Sequence, residues 1–369
     1  TRVNKDGLIE TVASGQSRLN YPLIDGVVNG CPSHLLEPSR QNILWYSQDF
    51  TNAYWINNGV TVNADQAISP DGTLNADLLT GVSGGFGVVR FSTWSATNNI
   101  ASCFAKKGSS STFIIKNASG GVGGVTFDLD NGIITSVSTG FEGEIENYGN
   151  GWYRCVAIDR DGRSGTFSLG VNGASQSIYM WGSQLEQTYK TSYIPTTNSS
   201  VTRVAETANG SGDANTFNDS EGVFMAELLW TATSSNIYIS IDDGTSSNRI
   251  LIYSTSTDDI KALVGSGGST QVSFTATNQD PTTFNKVAIK YKENDFALWI
   301  NGIKLLTDTV GSTPIGLDTL GFRAGGGTNP LHGSAKQLQY FDSADIDLET
   351  LTSWTSFSEM AEGQLYTIE

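Results

Sequence analysis

Three glutamates in EGEIE (residues 142–146) share a spacing suited to acid–base work: Glu142, Glu144 and Glu146 fall on the same side of a strand. Two carboxylates about 5 Å apart are what a retaining glycosidase uses, one as acid and one as nucleophile. The run lacks flanking apolar and aromatic partners, so it reads as the solvated face of a hairpin, and the chain is expected to be no enzyme. Acidic turns form a second set: Asp128 and Asp130 in DLDNG (128–132), Asp242 and Asp243 in IDDGTSSN (241–248), and the pair Asp258–Asp259. The first four are candidate calcium ligands, since oxygen-rich loops bind that ion. None has EF-hand spacing, and turns in which Asp and Asn bond their own backbone explain them equally well. The two histidines, His34 and His332, lie far apart, and neither sits in the Gln-x-His context of an alginate-lyase sandwich. Little material is left for a histidine-based zinc site or a Ser/His/Asp triad. Cys31, Cys103 and Cys155 form no CxxC pair and read as buried thiols. The Gly-rich stretches 81–87 and 324–330 do not lie between a strand and a helix, so a phosphate-cradling role lacks its context.

The elements that must carry these groups are short. With 369 residues the chain suits two domains. Its 41 glycines, 38% hydrophobic residues in short runs and only 16% charged residues favour β-structure with many turns. The formal net charge is −16; residues 1–206 carry 13 basic and 17 acidic side chains, the remainder 8 and 20. Long-range attraction to nucleic acid or to an anionic bilayer is not expected, and no apolar run approaches the length of a membrane-spanning helix. Residues 1–34 read as an irregular lead-in. Segments such as TFIIKN (112–117), GWYRCVAI (151–158) and SIYMWGSQLE (177–186), separated by Gly, Asn, Asp and Ser, predict an antiparallel sandwich over 35–206. The polar run within 207–221 reads as a linker. A second strand series over 222–369 includes NKVAIKYK (285–292), where alternation predicts one wet face. DIDLETLTSWTSFSEMA (345–361) alone has helical spacing, with an N-cap at Asp345 or Asp347. The expected fold is therefore all-β: two antiparallel β-sandwich, jelly-roll domains with an irregular N-terminal lead-in and one short C-terminal helix.

Five blocks in order, LLEPSRQNILWYSQDFTNAYW (35–55), SPDGTLNADLL (69–79), GNGWYRC (149–155), IYMWGSQLE (178–186) and TSYIPTTNSSVTRVAE (191–206), resemble the carbohydrate-binding-module-like sandwich of tailed-phage and prophage structural proteins. Asn42, Phe50 and Trp55 are more distantly similar to the opening strand of xylan- and glucan-binding jelly rolls. FNKVAIKYKENDFALWINGIKL (284–305) and LHGSAKQLQYFDSADIDLETLTS (331–353) resemble concanavalin-A-like sandwiches of the laminin-G type. EGEIE has the spacing of the acidic ExDxE strand of jelly-roll glucanases, with Glu144 in place of the Asp. The resemblance implies a virion appendage, such as a tail fibre, spike or capsid decoration, that binds host cell-surface polysaccharide alongside other virion proteins. It also implies a homo-oligomer, a trimer, in an extracellular particle. A purely structural spacer and a polysaccharide-degrading enzyme with an accessory module are the competing readings.

A glycan site needs an aromatic ring facing outward beside amide and carboxylate groups. In IYMWGSQLE, Ile178 and Met180 share one face of a strand, Tyr179 and Trp181 the other. If the first pair is core, Tyr179 and Trp181 are displayed, and these two with Trp94 are the candidate glycan platforms; in the competing reading the strand is buried on both faces and all four residues are core. Trp55 is expected in the core, against Trp152 or Tyr153, and Trp45 and Tyr46 must point opposite ways. Leu8, Ile9, Leu19, Tyr21 and Ile24 in the lead-in have no predicted element to bury them, which suggests a self-association strip.

Overall fold

The computed structural model describes residues 1–82, 87–94, 98–118, 123–231 and 237–354, without the side chains of 89–94 and of residue 237. Two compact units divide the chain: Thr1–Pro32 with Ser39–Val204, and Ser33–Pro38 with the chain from Ala205 onward. As expected, the described residues are almost all β, with one short helix.

The first unit is a sandwich of two six-stranded antiparallel sheets. One runs, in spatial order, Phe141–Asn147, Trp152–Asp159, Asn99–Lys107, Ser177–Gln187, Leu74–Gly81 and Val60–Ile68. The other runs Ile133–Val137, Gly123–Asp128, Thr112–Asn117, Gly165–Gly170, Gly87–Trp94 and Ile56–Asn58. Strand alternation builds the core between them: Cys103, Cys155, Ile178 and Met180 from the first sheet meet Phe113, Ile115, Phe127 and Phe167 from the second. Trp55 is buried in this core, its ring 5.2 Å from Phe50 and 6.1 Å from Phe167. Tyr153 packs against the same core, while Trp152 points to the opposite face of its sheet.

The second unit pairs two further antiparallel sheets. One has strands Asn209–Ser211, Thr319–Gly321, Ile237–Asp242, Arg249–Ser254, Asp259–Ser266 and Ser269–Thr277. The other has Ile303–Asp308, Phe296–Ile300, Asn285–Lys292, Glu221–Trp230, Gly333–Phe341 and Ser33–Leu36. Helix Leu348–Thr352 is capped by Asp347, whose carboxylate accepts from the Thr350 amide.

Four expectations need correction. The lead-in is not a free arm: residues 1–32 fold onto the first unit, Arg2–Val3 pairing with Ile9–Glu10 and Leu23–Ile24 with Val27–Val28. The domain boundary at 34/35 fails because Ser33–Leu36 supplies a strand to the second unit, pairing with Gly333–Phe341. The 207–221 stretch is not a free linker, since Asn209–Ser211 is a strand of the second unit and Phe217 is buried against Tyr340. The wet face expected of Asn285–Lys292 is largely covered: Ala288 and Leu348 of the helix share one apolar cluster, and the Lys286 ammonium lies 4.5 Å from the Trp354 ring centre.

Candidate functional site

The displayed pair expected at Tyr179 and Trp181 is on the predicted face, but that face is covered. Ile178 and Met180 belong to the inner core, Trp181 to a separate outer cluster with Ile9, Ala76, Phe104, Trp152 and Tyr193. Trp181 is only 1% exposed, its ring 4.9 Å from Tyr193 and 5.3 Å from Phe104. Tyr179 is half-buried at the edge of this cluster. Period-two alternation assigns a side chain to a face. It says nothing of which distant segment lies on that face, and here residues 1–32 and the return through Tyr193 do so. Trp94 ends its strand opposite Gly165, and its side chain lies outside the described residues.

Where the lead-in crosses the edge of the same sheet, it encloses a cleft of about 590 Å³. Tyr21, Tyr148 and Tyr153 line it with the amides of Asn20, Asn131 and Asn147. Each aromatic arrives from a different element. Tyr21 follows the short strand Leu19–Asn20, Tyr148 opens the turn after Phe141–Asn147, and Tyr153 is the second residue of Trp152–Asp159. All three rings are half-buried.

Two close backbone approaches fix the walls. The lead-in hairpin turns through Asp25 and Gly26, both at positive φ, 50° and 77°. A Cβ on Gly26 would lie 2.3 Å from the Gly149 nitrogen, so only glycine lets the hairpin tip seat on the turn at 148–151. On the far wall, a Cβ on Gly132 would come within 2.7 Å of the Tyr153 ring, which settles Tyr153 against the turn at Asn131. The Asn147 carbonyl oxygen accepts from the Gly149 amide at 2.9 Å, the Asn20 carbonyl oxygen from the Val3 amide at 2.8 Å, and Asn131 donates to Asp128 at 2.6 Å. The side-chain amides are thereby held in fixed orientation, ready to read hydroxyl groups.

The charged groups of the lining are Asp25 and Glu146. Burial alone would raise the Glu146 carboxyl, but the charges of Lys190 and Arg154 outweigh it and hold its pKa below the ordinary value. The Tyr148 hydroxyl is pushed up to about 12, first by burial and then by the neighbouring Glu146 charge. The cleft thus presents a neutral phenol and an ionised carboxylate at neutral pH, the donors and acceptors that polyols pair with.

The EGEIE run lies on this edge strand, and its carboxylates remain solvated, Glu142 most and Glu146 least, as expected, but they are also paired. The Lys190 ammonium bonds both Glu144 and Glu146, and Arg160 pairs with Glu142 at 2.9 Å. Each carboxylate is committed to a cation. The calcium candidates are dispersed in the same way. Asp130 pairs with Lys107 at 2.6 Å, and Asp128 accepts the Asp130 amide. Asp242 accepts from the Ser240 hydroxyl and the Gly244 amide; Asp243 accepts from Thr245 and Asn248. Among the described residues no three His, Cys, Asp or Glu side chains are gathered as a metal site. Asn42, Phe50 and Trp55 are all buried, and Asn42 donates to the Ser183 and Ile194 carbonyls while accepting from Leu44 and Leu185. The N…DF…W pattern therefore ties the opening strand into the sandwich.

Sequence reasoning missed Tyr21, Tyr148 and Tyr153 as a set. A signal was present: Asn20–Tyr21 and Asn147–Tyr148 are both Asn-Tyr pairs beside Gly-containing turns.

No family model matches the chain, and no curated protein matches it in sequence. Among solved structures, it is similar to the carbohydrate-binding module CBM40 of the Ruminococcus gnavus IT-sialidase bound to α2,3-sialyllactose, at 16% identity and TM-score 0.34, covering 40% of this chain and 94% of that one. The mouse laminin α1 chain, domains LG4-5, matches at 11% identity and TM-score 0.28, over 89% of this chain and 93% of that one. Both likenesses are too remote to carry a ligand across.

Proposed function

We propose that the chain is a non-catalytic glycan-binding protein that holds a saccharide in the cleft of its first unit. The observation that supports this reading is the convergence of Tyr21, Tyr148 and Tyr153 with three oriented amides on one 590 Å³ recess. Aromatic rings stack on the C–H face of a sugar while amides and carboxylates take its hydroxyls. The cleft is large enough for one or two sugar rings, so recognition of a short stretch of a longer chain is the expected mode.

The finer reading rests on the five sequence blocks described above. In it, the protein is an appendage of a tailed-phage particle, in contact with other virion proteins, and its target is a host cell-surface polysaccharide. Leu19, Ile24 and Val27 remain exposed on the folded lead-in and offer an apolar strip for assembly into a trimer.

A glycan array probed with the wild-type chain and with Tyr21→Ala tests the binding reading. Tyr21 is half-buried, so its truncation should leave folding intact and weaken binding by about 10- to 100-fold, the range for losing a packed aromatic contact. A wild-type chain that binds no glycan on an array of host polysaccharides supports the spacer reading instead.

A further inference from the structure

We infer that Trp45, on the surface of the first unit, is a second saccharide platform separate from the cleft. Trp45 is 42% exposed, yet its ring is held: it stacks on Tyr54 at 5.6 Å with only 14° between the planes. Tyr54 meets Trp55 edge-on at 5.3 Å, and Trp55 is packed against Phe50 in the core. The exposed indole is thus the outermost member of a ladder of rings rooted in the sandwich interior. Such a rigid flat surface loses little conformational entropy when a pyranose ring settles on it.

A second observation points the same way. Tyr46, the next residue, has φ = 51°, a left-handed conformation that a bulky side chain rarely adopts. Three bonds to its backbone hold it there: its N–H donates to the Thr197 carbonyl at 2.6 Å, and its carbonyl accepts from the Trp55 indole at 3.1 Å and from the Asp49 amide at 3.2 Å. Strain of this kind persists where the surroundings impose it, and here, in a bend where strand alternation does not apply, it lets both adjacent aromatics pack on Tyr54, Trp45 at 5.6 Å and Tyr46 at 6.0 Å. The Thr197 contact also brings the exposed Thr197 and Asn198 next to Tyr46, the neighbour of Trp45 in the chain, where their hydroxyl and amide can meet sugar oxygens. A flat face of apolar carbon fits the C–H face of a pyranose, and the exposed Asp49 of the same turn adds a carboxylate acceptor for its hydroxyls.

The test is affinity electrophoresis of the full chain in native gels containing dextran, mannan, galactomannan or laminarin, with Trp45→Ala, Trp45→Phe, Tyr21→Ala and the Trp45→Ala/Tyr21→Ala pair. At least one polysaccharide should retard the wild type. In that gel Trp45→Ala should bind about tenfold more weakly, Trp45→Phe should recover part of the loss, and the double variant should migrate freely. Oxidation of Trp45 by N-bromosuccinimide, followed by mass spectrometry, should slow in the presence of the same polysaccharide. Unchanged migration of Trp45→Ala in every retarding gel overturns the platform and leaves the cleft standing. Loss confined to Trp45→Ala, with Tyr21→Ala unaffected, supports the platform and overturns the cleft. A wild type retarded by none of the four overturns both, and a wild-type oligomer that Trp45→Ala dissociates in light scattering overturns the platform as a sugar site.

Discussion

Truncating Trp181 separates a covered outer face from a displayed one. The side chain is 1% exposed and shares a cluster with Ile9, Phe104, Trp152 and Tyr193. Its indole N–H meets no protein acceptor among the described residues, so Trp181→Ala sacrifices packing and no protein hydrogen bond. A buried Trp replaced by Ala leaves a cavity worth about 3–5 kcal/mol. The ring contacts with Phe104 and Tyr193, at about 0.5–1.5 kcal/mol each, make up part of that sum. For a unit of this size each kcal/mol lowers the midpoint by about 2–4 °C, so a fall of about 6–20 °C is expected. Because Ile9 packs on the same cluster, residues 1–32 should also become more sensitive to protease. Thermal unfolding by circular dichroism with a parallel tryptic time course reads both effects. A midpoint within about 2 °C of wild type, with the lead-in still resistant, would refute the covered-face account.

Iodoacetamide should label Cys31 in the native protein and spare Cys103 and Cys155: Cys31 is exposed, the other two are buried, and burial pushes both thiols well above the ordinary range. Equal labelling of all three would contradict the sandwich core. Burial pushes the Asp77 carboxyl up to about 6, partly offset by the Phe50 and Asp65 amides that favour its charged form. An ordinary aspartate titrates near 3.8, so the folded state holds the extra proton between those two values. Stability therefore declines as pH rises through this window, by about 3 kcal/mol in full. A carbon-13 titration of Asp77 should show a midpoint near 6, and a midpoint near the unfolded value would contradict this. Gly26→Ala should unseat the hairpin tip from Gly149, which amide exchange across residues 23–28 should register as lost protection; unchanged exchange would refute the seating.

Fold class and strand sequence were legible because both depend on local pattern. Alternation placed Ile178 and Met180 inside and Tyr179 and Trp181 outside, and the capping aspartate of the helix was among the two named. The failures are all long-range. Nothing local to Ser33–Leu36 shows that it pairs with Gly333–Phe341, some 300 residues on. Nothing in IYMWGSQLE shows that Ile9 and Tyr193 cover Trp181. Residues 1–32 look like a loose arm because each of their strands is two residues long, and their order comes from the sheet they lie on. The cleft was missed for the same reason: its rings come from positions 21, 148 and 153, and only the crossing of the lead-in brings them together.

Hydrogen exchange of the full chain, with and without whichever polysaccharide it binds, tests the central claim most directly. The account predicts slowed exchange in peptides covering residues 20–25 and 145–153, the two walls of the cleft, with the second unit unchanged. Protection confined to the second unit, or no protection in either wall at saturating polysaccharide, would contradict it.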